Sequence, residues 1–274
     1  AGSDTFNAIA GTGATLSLAD VLEGGAGTDT LRVTVDNNNF TISPANVTGI
    51  EPLSLFASGA TTVTATNSSI ENIVNNSSTA AVTVNGITAA IGSVDIKNTS
   101  SNTTLQYAEA LVSGSSDALT VDLDTVTGAA QINVNTATTN TVGFETVNLV
   151  SNGSTANSVD LRTNDTAGLA TVNVSGANDL TLALGTNVTT TAVTVDGSSA
   201  TGALTISGFG AAAHTVTGGS GADRFQFAGN LGATDTVSGG DGVDTLSANG
   251  AQLAAVTSSS GPTVTGIETI EIAN

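Results

Sequence analysis

Three nine-residue stretches combine glycines with one aspartate in a fixed order: Gly24-Gly25-Ala26-Gly27-Thr28-Asp29-Thr30-Leu31-Arg32, Gly218-Gly219-Ser220-Gly221-Ala222-Asp223-Arg224-Phe225-Gln226 and Gly239-Gly240-Asp241-Gly242-Val243-Asp244-Thr245-Leu246-Ser247. All fit GGxGxDxUx, with U apolar. Glycine lets the backbone enter regions closed to other residues, so carbonyl oxygens can turn inward toward an ion. Aspartate adds a hard anionic oxygen, the donor that Ca²⁺ takes. The apolar residue that follows is placed to enter the core, which couples an ion to the fold. Gly2-Ser3-Asp4-Thr5-Phe6 repeats the tail of the unit at the start of the chain. Oxygen-ligated metal binding is therefore the first chemistry to expect. Its residues are Asp4; Gly24, Gly25, Gly27 and Asp29; Gly218, Gly219, Gly221 and Asp223; and Gly239, Gly240, Gly242 and Asp244.

Spacing says how these turns are positioned. In a parallel roll of nonapeptides, turns on one edge recur about every 18 residues and hold the ion between them. Asp223 and Asp244 are 21 residues apart and Asp4 and Asp29 are 25 apart. Each pair reads as same-edge neighbours with a few residues inserted. Two calcium clusters are expected, Asp4 with Asp29 and Asp223 with Asp244, the second assisted by Asp235 and Asp241. A trailing piece follows at each end: Gly49-Ile50-Glu51-Pro52-Leu53 and Gly266-Ile267-Glu268-Thr269-Ile270. Gly143-Phe144-Glu145-Thr146-Val147 is a third copy and Ile70-Glu71-Asn72-Ile73 a weaker fourth.

Between these ends the chain is rhythmic. Val63-Thr64-Ala65, Val82-Thr83-Val84, Val94-Asp95-Ile96, Val121-Asp122-Leu123, Ile132-Asn133-Val134, Val147-Asn148-Leu149, Val159-Asp160-Leu161, Val172-Asn173-Val174, Leu182-Ala183-Leu184, Val193-Thr194-Val195 and Leu204-Thr205-Ile206 each place a central residue, polar in all but one, between two apolar ones. Such alternation makes a short strand with one buried face. Regular strands separated by Gly, Asn, Ser and Thr suit a β-solenoid of about two strands per coil, and a β-sandwich gives a similar period. Continuity with the glycine turns at Thr215-Val216-Thr217-Gly218 favours the solenoid. The reading is all-β, a parallel β-solenoid with calcium-binding turns near both ends: an N-terminal module over 1–58, a solenoid of Thr/Asn-rich strands over 59–215 and a C-terminal module over 216–274. One helix is expected, over 103–112, covering a side or an end.

Composition excludes several functions. Four Lys and Arg stand against 23 Asp and Glu, a formal charge of −19, so nucleic acid and anionic membrane are repelled. No apolar run approaches the roughly 20 residues of a membrane helix. The chain has one histidine, His214, and no cysteine. Neither a histidine triad nor a zinc site can be assembled, and His214 reads as structural, satisfied or exposed. Asp122 and Asp124 share a strand face but alternate with Val121 and Leu123, which makes them a solvated surface and not a glycosidase pair. The protein is expected not to be an enzyme. The central residues of the strand runs mix Thr, Asp, Asn and Ala, so no sustained threonine column for ice binding is expected. With no Met and no signal peptide, the sequence reads as a segment of a longer protein.

GGxGxDxUx is the hemolysin-type calcium repeat of RTX ("repeats in toxin") proteins. With the GIE pieces, the Thr/Ala/Asn/Ser/Gly-rich composition and the lack of cysteine, the chain resembles the calcium-dependent surface-layer proteins of Gram-negative bacteria, most strongly over 1–55 and 216–274. That resemblance implies type I secretion, an extracellular or cell-surface location, folding on meeting external Ca²⁺ and self-assembly into a lattice or head-to-tail polymer, with cell-surface polysaccharide as a further partner. Residue by residue it carries over only Asp4, Asp29, Asp223, Asp244 and their glycines. A secreted RTX adhesin or biofilm protein, and a calcium-binding module of a secreted polysaccharide-modifying enzyme, remain alternatives. Extracellular calcium modules bind with dissociation constants of about 10⁻⁴ to 10⁻³ M. At about 10 mM Ca²⁺ a site of about 10⁻⁴ M adds about 2.7 kcal/mol.

Overall fold

A computed structural model describes residues 2–42, 46–66, 69–136, 141–166, 169–185, 187–256 and 260–273. The chain is a parallel β-solenoid of about 11 turns, with 49% of residues in strands. From Thr30 on, each coil contributes one strand to each of two sheets, and Leu22–Glu23 pairs with Val47–Thr48 in a separate two-stranded sheet. Among the described residues the first sheet has 12 strands, from Thr5–Ala10 to Thr263–Thr265, and the second has 11, from Phe40–Ile42 to Thr269–Ile272. All pairings are parallel, and both sheets run unbroken through residues 58 and 215.

The alternation in the sequence is what builds the core. One residue of each apolar–polar–apolar run faces out while its neighbours stack on equivalent residues above and below. Val159, Leu182, Ile206, Phe225, Leu246 and Ile270 form one such column in the second sheet. Leu119, Val147, Val172, Val195, Val216, Val237 and Val264 form another in the first. Every member up to Leu246 and Val237 is essentially inaccessible, whereas Ile270, in the last coil, is 51% exposed. Neighbour-on-neighbour burial of this kind is how a solenoid core is assembled.

The helix expected over 103–112 does not form. Thr103–Tyr107 is a strand of the second sheet, followed by a 3₁₀ turn at Glu109–Leu111. Thr103, Leu105 and Tyr107 alternate inward onto Val82, Val84 and Ile87 on one side and Ile132, Val134 and Thr136 on the other, and this period-two packing overrides helix propensity. The α-helix that does form, Gly250–Ala255, was not foreseen; the Asn249 side chain caps it by accepting from the Gln252 N–H at 3.0 Å. No helix among the described residues is long and apolar enough to cross a membrane.

The solenoid has two long edges. At the near edge the chain passes from the second sheet into the first, and at the far edge from the first into the second.

Candidate metal site and acid columns

The residue just before each first-sheet strand lies on the near edge. Those residues include Asp4, Asp29, Glu51, Glu71, Asp117, Glu145, His214 and Asp235. The far-edge counterparts, before second-sheet strands, include Asp179, Asp223, Asp244 and Glu268. Along both edges an acid of one coil reaches back to the preceding coil. Asp29 Oδ1 accepts from the Asp4 N–H at 2.7 Å and Glu51 Oε2 from the Asp29 N–H at 2.8 Å. On the far edge Asp223 Oδ1 accepts from the Leu204 N–H at 2.7 Å, Asp244 Oδ1 from the Asp223 N–H at 2.7 Å and Glu268 Oε2 from the Asp244 N–H at 2.9 Å. Glu145 takes the Asp117 N–H in the same way at 2.7 Å. These are charge-assisted bonds that stitch coil to coil.

The same-edge pairing read from spacing is therefore present: Thr5 pairs with Thr30, just after Asp4 and Asp29, and Arg224 with Thr245, just after Asp223 and Asp244. The two groups lie on opposite edges. Asp241 stays with the second, its charge raising the Asp244 carboxyl. Asp235 does not: it precedes a first-sheet strand on the near edge, and both of its oxygens are used, by the His214 N–H and the Gly232 N–H, each at 2.7 Å. Counting residues placed it near Asp244; the three-residue strand Thr236–Ser238 carries the chain from one edge to the other in between.

The three glycine turns are not alike. Gly25 and Gly240 have φ of +89° and +100°, and Gly27 and Gly242 have +132° and +123°, values that favour glycine, whereas Gly219 and Gly221 are not in that region. The acids divide the same way. Asp29 Oδ2 and Asp244 Oδ2 are buried without a hydrogen-bond partner, while Asp223 Oδ2 accepts from the Gly219 N–H at 2.7 Å. In each of the two open turns the orphaned oxygen and a backbone carbonyl oxygen converge on the bare Cα of a glycine. For Gly24 these are Asp29 Oδ2, 2.8 Å from where a Cβ would stand, and the Gly49 carbonyl, which would overlap it. For Gly239 they are Asp244 Oδ2 and the Gly266 carbonyl. The Gly49 and Gly266 carbonyls accept no hydrogen bond among the described residues.

This donor set fits Ca²⁺ in kind: hard oxygens, one of them anionic, in a cradle that only glycine leaves open. Its remaining ligands would be backbone carbonyls and water, since among the described residues no three His, Cys, Asp or Glu side chains gather as a metal cluster. Burial pushes the Asp223 and Asp244 carboxyls up, with further repulsion from Asp244 on the first and from Glu268 and Asp241 on the second, while backbone N–H donors hold them back. A cation beside them would relieve that cost.

Sequence reading missed Glu51 and Glu268. They stand one coil after Asp29 and Asp244 in the same columns, and Gly49 and Gly266, with φ of +61° and +58°, stand in register with the glycine turns. The GIE piece thus fills the slot of a glycine turn, with Glu in place of Asp. The available signal was an acid followed by Thr, Pro or Asn at a strand start.

His214 is fully buried. Its Nδ1 accepts from the Val193 N–H at 3.3 Å, its ring lies 5.8 Å from Phe209, and Nε2 has no partner. Burial pushes the imidazole down, partly offset by the Asp235 charge. Asp122 faces outward as expected, in register with Asp95, and its carboxyl is raised by desolvation and by Asp95, with Lys97 opposing. A threonine column does exist, contrary to expectation: Thr146, Thr171, Thr194, Thr215, Thr236 and Thr263 pair across six first-sheet strands. The column beside it reads Asn148, Asn173, Asp196, Thr217, Ser238 and Thr265. From Val121 on, successive runs in the sequence belong to alternate sheets, which hid both columns.

No family model, no curated protein and no solved structure matches this chain.

Proposed function

We propose that this is a calcium-dependent extracellular structural protein, a subunit of a bacterial surface layer or filament, in which Ca²⁺ pins the two ends of the solenoid. The observation that carries this reading is the pair of open turns, where a buried carboxylate oxygen without a partner faces a free carbonyl across a glycine, at Asp29, Gly49 and Gly24 and again at Asp244, Gly266 and Gly239. When bound, calcium supplies positive charge to oxygens that otherwise have no donor.

The chain's own residues do the rest. Asp29 and Asp244 spend Oδ1 on the coil before and keep Oδ2 for the ion, so ligand binding and coil stacking share one side chain. Without a cation the buried charges and the −19 of self-repulsion oppose the fold. Self-assembly is supported by the fold itself: coils stack strand on strand, and a strand edge left unpaired is a template for another chain.

Circular dichroism and melting with calcium and with chelator test the calcium half. Loss of β signal or a lowered melting temperature on chelation is expected, and an unchanged melt refutes it. Electron microscopy after calcium addition tests assembly: ordered sheets or fibres are expected, and dispersed rods favour an adhesin instead.

A further inference from the structure

Three of the four cations are paired with acids. Lys97 bridges Asp95 at 3.0 Å, Arg162 bridges Asp160 at 2.6 Å, and Arg224 bridges Glu271. Arg32 is not: among the described residues no acid pairs with it, in a chain where acids outnumber cations 23 to 4. It stands exposed on the outer face of the first sheet, in register with Asn7 on one side and Ser54 on the other. The adjacent outward column holds Ile9, Thr34 and Phe56. Phe56 is 38% exposed on a strand face. The remaining phenylalanines are buried or packed against the core. Arg32, Phe56, Asn7, Ser54, Thr34 and Asn76 line an open cavity of about 320 Å³.

These groups have complementary uses. An unpaired guanidinium presents a planar fork that matches a carboxylate. An exposed ring is an apolar plate with no packing reason to face water. Carboxamides and hydroxyls on both sides can exchange hydrogen bonds with vicinal hydroxyls. The volume is at the low end of small-molecule sites, about 300 to 1,000 Å³. A nucleic acid does not fit: Arg32 is the one cation at the cavity, whereas a phosphate at every nucleotide calls for several. A lipid tail does not fit either, since the lining around the ring is mainly polar: Asn7, Arg32, Thr34, Ser54, Asn76 and Ser77.

We propose that this cavity binds an acidic glycan through one uronic-acid residue, its carboxylate on Arg32 and its ring face on Phe56. The inference goes beyond the calcium reading and does not rest on it, since none of these residues belongs to the glycine turns.

The test is calorimetric titration of the full chain with trigalacturonate, and with neutral maltotriose as control, in calcium buffer where the β spectrum is complete. Wild type is expected to bind trigalacturonate with a dissociation constant of about 1 mM or below. Arg32→Gln should weaken it at least about tenfold, Arg32→Lys less, because the point charge survives without the fork. Phe56→Ser should weaken it as well. Both side chains face outward, so melting temperatures report that the variants stay folded. The proposal is overturned by no heat up to about 10 mM probe, by Arg32→Gln binding as wild type, or by maltotriose binding equally well.

Discussion

Replacing Asp244 separates its two jobs. Asp244→Asn keeps Oδ1 for the Asp223 N–H, bonded at 2.7 Å, and discards the charge on the orphaned Oδ2. Asp244→Ala discards both and leaves a buried N–H unsatisfied, which costs about 1–3 kcal/mol, more where the lost acceptor was charged. Burial already disfavours the Asp244 carboxylate, so its neutral amide costs the ion-free protein little. Urea unfolding followed by circular dichroism, at free calcium stepped from saturating to chelated, reads both effects. A single native-state site adds about 1.4 kcal/mol per decade of calcium above its dissociation constant. At the lowest calcium that supports a cooperative transition, Asp244→Asn should match wild type within about 1 kcal/mol and Asp244→Ala should fall about 2–3 kcal/mol below it. At saturating calcium both should lose one site's slope. Wild-type calcium dependence in Asp244→Asn, or a loss under about 0.5 kcal/mol in Asp244→Ala, would refute the division of labour between the two oxygens.

Further outcomes follow from the same contacts. His214 has a lowered pKa, so the unfolded chain binds the proton more tightly; stability from this residue is complete above about pH 6.5 and falls as pH drops from there toward its folded-state value. His214→Asn, which retains an acceptor for the Val193 N–H, should flatten that acid slope in melts taken between pH 7 and pH 5, and an unchanged slope would assign it to other groups. Gly239→Ala puts a methyl into the Gly266 carbonyl oxygen and should destabilise by about 1–3 kcal/mol or more in calcium, read by urea midpoint. Tyr107 has a buried hydroxyl without a partner, so Tyr107→Phe should leave the melting temperature unchanged or raise it, and a loss above about 1 kcal/mol would mean that the hydroxyl is satisfied.

Local alternation was enough to read the strands. Every alternating run falls in a strand except that of Val193, which stands just before Thr194–Ala200, because a residue that must face the core at period two leaves few other conformations. Asp29 and Asp244 were legible because glycine spacing marks turns. Edge assignment was not, since Asp223 and Asp235 lie 12 residues apart in sequence yet on opposite sides of a coil. The cavity at Arg32 was also hidden: Asn7, Arg32, Ser54 and Phe56 come from three coils and meet only through pairing register. The wrong helix over 103–112 shows the same limit, with Leu105 and Tyr107 answering to neighbours far along the chain.

Asp29, Glu51, Glu145, Asp223, Asp235, Asp244 and Glu268 each accept from an amide of the coil before, which gives the stack a sense along its axis. Two such solenoids set coil on coil would continue that sense head to tail and reverse it head to head. A polymer built by coil-on-coil addition would therefore be polar, with distinct plus and minus ends.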